Sequence, residues 1–196
     1  MARCWPTLVR LLVAFAVWSW VVAQALPAYA RVVVPAASAL LELVRPHGVG
    51  VELLREGGYV AFRFAVPGRG GVSGQFSFAL LTYNAVLYLT VLSAVPGPPL
   101  RWRLRFLAMA APAAFLLHVA DLMMAVESQV LSAVQEEHFD FLHDFGLWFS
   151  TVKVYNFLSI MAVRQVVLLG VYYLQWRFLP WREVAGPPAG TNSLAE

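Results

Sequence analysis

The sequence predicts a mainly α protein: a polytopic membrane helical bundle of about four transmembrane helices with a small extracytoplasmic β-hairpin. Three observations predict it. The 196-residue chain is 60% hydrophobic and only 13% charged, too apolar for an ordinary soluble domain. Its apolar residues gather into runs near the roughly 20 residues that cross a bilayer as a helix: Leu11–Ala30, Phe76–Val95, Phe106–Val126 and Val154–Trp176. The charges between the runs are sorted by sign, with Arg101, Arg103 and Arg105 in one short loop and Glu127, Glu136, Glu137, Asp140 and Asp144 in the next connection.

Taken in order, Arg3 and Arg10 precede Leu11–Ala30, which is either a first transmembrane helix or a signal peptide, since Ala28-Tyr29-Ala30 has the small-x-small form of a cleavage site. Its length, and Trp18 and Trp20 inside it, favour a retained helix over about 9–30. The segment 31–75 then lies outside. Within it, Val32–Val44 is too short to span and reads as an interfacial or re-entrant helix ended by Pro46-His47-Gly48. Around Glu56-Gly57-Gly58, β-branched and aromatic residues flank a turn, the pattern of a β-hairpin. Pro67–Gly71 is a loop. Helices follow over about 76–95 and 106–126, joined by the basic loop, which short-loop charge bias holds in the cytoplasm. The last helix, about 152–178, ends in the aromatic and basic boundary of Trp176, Arg177, Trp181 and Arg182, and 183–196 is a polar cytoplasmic tail. Both termini are then inside, and the expected location is a bacterial inner membrane.

Composition also excludes. The net charge of +3 is modest and the arginines flank apolar runs instead of forming a stripe, which argues against a nucleic-acid partner and for membrane lipid. Cys4 is the single cysteine, so no intramolecular disulfide and no cysteine metal cluster can form. Near the inner surface it invites acylation by proximity alone. The glycines of 67–71 lack the strand–loop–helix context and lysine of a phosphate cradle, and no cofactor motif is present. Glu136, Glu137, His138, Asp140, His143 and Asp144 supply donors for zinc, but their spacing matches no metalloprotease motif, and no metal is expected.

Four polar residues inside the apolar runs, Asn84, His118, Asp121 and Arg164, are the candidate site. Burying such groups in hydrocarbon is costly, so they face the bundle interior. His118 and Asp121 are three apart and fall on one helix face. Asp121 sits about five residues below the outer end of its run, and Arg164 is its natural counter-ion. The plainer reading is that these residues pin helices together. The sharper one is a substrate-facing pocket at the outer mouth.

Several stretches, in their order, resemble the exosortase/archaeosortase family of membrane sortase-like transpeptidases. Glu52–Gly58 is similar to the family's hairpin, Val72-Ser73-Gly74 to its Cys-Ser-Gly signature, His118–Asp121 to the helix end that carries its Asn-x-x-Arg motif, and His143–Trp148 to its His-Asp-x-x-Gly-Trp motif. The similarity covers roughly Gly48 to Trp148. It places Val72 where the family has its nucleophilic Cys and Asp121 where it has Arg, keeping only the His as His143. A sortase-like reaction needs a thiolate and a cation beside the oxyanion, and neither position supplies one.

Three function classes follow. The first is a non-catalytic relative of the exosortases, a scaffold or partner in sorting and processing exported proteins at the outer face of the inner membrane, whose partner would be an active exosortase or a substrate with a C-terminal sorting segment. The second is a divergent protease or transpeptidase using Ser73 as nucleophile and His143 as base. The third is a small structural or transporter-like membrane protein.

Overall fold

The computed structural model describes residues 5–44, 49–66, 70–96, 98–137, 141–160 and 164–179. The protein is mainly α with a small three-stranded antiparallel sheet. The order is α1 (Trp5–Val44), β1 (Val51–Glu56), β2 (Tyr59–Val66), β3 (Gly70–Ser77), α2 (Phe78–Ala94), α3 (Leu100–Glu137), α4 (Phe141–Leu158) and α5 (Arg164–Phe178).

The expected hairpin is present as β1–β2, with Glu56 facing Tyr59 across Gly57 and Gly58. Gly57 has a φ of 61°, and positive φ at the first central residue alone is the pattern of a type II′ turn, whose twist suits the strands. The structure adds a strand to it. Residues 70–77, read as a loop running into a helix, form β3 on the far side of β2, in the order β1-β2-β3. Three glycines give β3 little strand propensity of its own. Cross-strand packing supplies what propensity lacks: Phe62 lies over its partner Gly74, and the Phe62 and Phe76 rings stack at 5.1 Å. Helix α2 starts two residues later than expected, with the Phe78 amide donating to the turn carbonyl of Gly58.

Helix α1 is continuous through Pro27 and Pro35, so the expected span to Ala30 and the separate helix over Val32–Val44 are one element. At 1.5 Å per residue its 40 residues reach about 60 Å, twice a bilayer's hydrocarbon core of roughly 30 Å. Its halves differ. Most side chains from Pro6 to Trp20 are exposed, whereas Ala30, Val33, Val34, Ala37 and Leu41 form a buried stripe at helical spacing. Helix α3 behaves alike. It does not stop at Val126 but continues to Glu137, because Val126, Val130, Leu131 and Val134 extend a buried stripe past the apolar run.

These stripes meet the inner face of the sheet, Val60, Phe62, Phe64 and Val66, in one core. A second core, Tyr88, Leu92, Trp102, Phe106, Ala110, Leu168 and Tyr172, joins α2, α3 and α5 further along the bundle. Between them lies a mostly apolar cavity of about 250 Å³ that reaches from Tyr88 and Leu168 to Tyr29 and His118. The sheet is anchored to α1 by Arg55, whose Nη1 donates to the Pro27 carbonyl at 2.7 Å.

Among the described residues two helices, α1 and α3, are long and apolar enough to cross a membrane, and α2 is a shorter apolar helix. Of the expected last helix over 152–178, the residues up to Leu158 belong to α4 and those from Arg164 to α5, and 161–163 lie outside the described residues. The tail 183–196 and Cys4 lie outside the described residues.

Candidate functional site

Helix α3 carries His118, Asp121, Glu127 and Ser128 among the buried polar residues of the bundle. His118 is buried and bridges two other helices: its Nδ1 meets the Tyr29 hydroxyl of α1 at 2.8 Å, and its Nε2 meets Asn84 Oδ1 of α2 at 2.7 Å. A carboxamide oxygen only accepts, so Nε2 carries the proton and, in the neutral ring, Nδ1 accepts from Tyr29. The chain of bonds therefore runs Tyr29 O–H to His118 and His118 N–H to Asn84. Asn84 is buried, and its Nδ2 has no hydrogen-bond partner among the described residues.

Asp121 points elsewhere. It is fully buried, and its Oδ1 accepts from Tyr155 Oη at 2.9 Å and from Ser159 Oγ at 2.5 Å, both on the stretch that follows the acidic connection. Positions three apart on a helix differ by about 60° around the axis. In the middle of a bundle that angle is enough to face different neighbours, so the described bonds join His118 to Tyr29 and Asn84, and Asp121 to Tyr155 and Ser159. The side chain of Arg164, the expected counter-ion, lies outside the described residues, although Arg164 opens α5.

The polar seam between α3 and α4 continues beyond Asp121. Asn156 Nδ2 donates to the Met124 carbonyl at 2.9 Å, and Trp148 Nε1 donates to Glu127 Oε1 at 2.7 Å. Lys153 Nζ reaches Ser128 and Ser132 at 3.3 and 2.8 Å and lies 5.2 Å from the Phe149 ring centroid. Asp121, Ser128 and Ser132 recur at helical spacing, so one face of α3 meets these donors in turn. On α2 the Thr82, Thr90 and Ser93 hydroxyls donate to carbonyls four residues back, whereas the Tyr88 hydroxyl reaches the Phe106 carbonyl of α3 and Gln175 Oε1 of α5 at 3.0 and 2.8 Å.

The residues of the Ser-Gly motif divide across the sheet. Val72 packs against the sheet-side core, on the face of its strand partner Phe64. Ser73 points to the opposite face, in a row with Arg63 and Glu52, and borders an open groove of about 840 Å³ that Glu42 also lines. His143 is exposed in the first turn of α4. Among the described residues no hydrogen bond joins Ser73 to His143. His138 and Asp140 lie outside the described residues, as does the Glu137 side chain.

Sequence reasoning missed Tyr29, Tyr155, Ser159 and Glu127. Tyr29 was hidden in a stretch with the form of a cleavage site. Tyr155 and Ser159 carry the one usable signal: they are four apart, on one helix face, inside an apolar run. No protein-family model, no curated protein and no solved structure matches the chain.

Proposed function

We propose that this chain is an integral membrane protein of the bacterial inner membrane that resembles exosortases without their catalysis, serving as a scaffold or partner in the sorting of exported proteins. The orientation of β3 carries the reading. Where the family has its nucleophile, Val72 is a half-buried apolar side chain packed against the sheet-side core, and the neighbouring Ser73 is on the other face of the sheet. A hydroxyl there does not inherit the geometry of the missing thiol, and an unactivated hydroxyl needs a base within hydrogen-bond reach. The polar residues of the bundle support the same reading, since the described partners of His118 and Asp121 are other helices. The exposed apolar surface of α1 from Leu8 to Trp20 favours a lipid environment.

Affinity capture of the tagged chain from native membranes, with mass spectrometry, tests the partner role. Recovery of an exosortase with its Cys, Arg and His intact is expected. A serine-directed probe tests the competing enzyme reading. A covalent adduct on Ser73 that disappears in His143→Ala would overturn the proposal and make the protein a divergent peptidase.

A further inference from the structure

A groove of about 760 Å³ runs between the N-terminal half of α1 and the turn that joins α2 to α3. Apart from Arg10, its α1 wall is apolar: Val9, Val13 and Val17 repeat every four residues along one face. Trp18 also lines it, and its indole N–H is already spent on Ser93 Oγ at 2.9 Å, so the ring contributes an apolar surface. Two cations, Arg10 and Arg103, line the same groove, and among the described residues no carboxylate does. Arg103 is half-buried, and it donates to the carbonyls of Pro98, Ser93 and Val95 at 2.9, 2.5 and 3.1 Å. Those bonds fix the guanidinium without neutralising it, and a second N–H remains on each terminal nitrogen. Arg10 is exposed and has no hydrogen bond or ion pair among the described residues.

We propose that this groove holds one anionic phospholipid, its phosphate between Arg10 and Arg103 and an acyl chain along Val9, Val13 and Val17. The inference rests on the membrane reading above. A free phosphate would use the cations but leave the apolar wall bare, whereas a zwitterionic lipid would use the wall but bring its own cation towards two arginines. An anionic diester with a hydrocarbon tail satisfies both.

The full-length chain is first tested for resistance to carbonate extraction from membranes, since extraction would overturn the membrane reading itself. Retained lipid is then counted by native mass spectrometry in detergent with phosphatidylglycerol or phosphatidylcholine added. Preferential retention of one phosphatidylglycerol is expected. Arg10→Gln should weaken it about fivefold, the effect of one arginine near an anionic headgroup. Val13→Trp, which fills the groove and leaves both cations, should weaken it as well. Arg105→Gln, which removes a charge outside the groove, should leave it unchanged. Equal retention of the two lipids, equal loss in Arg105→Gln and Arg10→Gln, or displacement by glycerol 3-phosphate alone would overturn the site in a chain that remains carbonate-resistant.

Discussion

At the scale of single residues, the structure assigns Gly74 a packing role. A Cβ there would overlap the ring of Phe62, its cross-strand partner, and Phe62 is buried between Phe64 and Phe76. Gly74→Ala should therefore destabilise the protein by about 1–3 kcal/mol, the usual range for overpacking a filled site. Gly71→Ala, with open space around the new methyl, should change little. Thermal unfolding in detergent compares the two, and Phe62→Leu added to Gly74→Ala should recover part of the loss. Equal melting of both glycine variants would remove the role. The hydrogen bonds on Asp121 make a second case. Asp121→Leu leaves the Tyr155 and Ser159 hydroxyls without this acceptor, while Asp121→Asn keeps an oxygen for them. Asp121→Leu should lower stability by about 1–2 kcal/mol, and Asp121→Asn by less. A double-mutant cycle with Ser159→Ala measures the coupling, and additive losses would mean that the two side chains do not interact. That Asp121 and His118 are polar residues inside an apolar run is plain in the sequence. Their partners are not, because a partner is set by helix rotation, and a spacing of three fits both a shared face and the divided arrangement found here.

At the scale of elements, periodicity explains both what was legible and what was not. The hairpin turn at Gly57-Gly58 and the apolar run of α2 can be read locally, because turn chemistry and composition decide them. The continuity of α1 was obscured by Arg31 and Pro35, which look like breaks to a reading based on hydropathy. Yet Ala30, Val33, Val34, Ala37 and Leu41 already hold the helical stripe that the sheet covers. Strand β3 was illegible for a different reason: its glycines are strand-compatible only once Phe62 and Phe76 pack over them. Helix α3 outlasts its apolar run along the buried stripe of Val126, Val130, Leu131 and Val134, and Glu127 within that stretch has a partner on α4. Trp148 donates to that carboxylate, so Glu127→Leu would strand a partly buried indole N–H at about 1–3 kcal/mol. Glu127→Gln keeps an acceptor and should be milder. Thermal unfolding in detergent compares the two variants, and equal melting of Glu127→Leu and the unaltered protein would mean that the contact does not form.

At the scale of the whole molecule, the two cores sit in different surroundings along one bundle. The sheet-side core lies where α1 turns its buried stripe towards β1–β3, and the second core lies where α1 instead exposes Leu8, Leu12, Val13, Phe15, Val17 and Trp20. In water that exposed surface would be a large unfavourable patch, while in hydrocarbon it is matched to its solvent. The arginines Arg101, Arg103 and Arg105, expected in a loop, lie in the first turns of α3 beside the second core, at the opposite end of α2 from the sheet. Short basic loops stay in the cytoplasm, so the sheet should face outward and both termini inward. Single-cysteine labelling in a chain with Cys4 replaced tests this arrangement. Glu56 beside the hairpin turn and Leu100 at the start of α3 are both exposed and suit the test. A membrane-impermeant maleimide on intact spheroplasts should label Glu56→Cys at once, and Leu100→Cys only after permeabilisation. Labelling of Leu100→Cys in sealed spheroplasts, with Glu56→Cys protected, would invert the protein and place the arginine-lined groove on the outer side. Labelling of both positions in sealed spheroplasts would show that α2 does not cross the bilayer, leaving α1 and α3 as the helices able to span it.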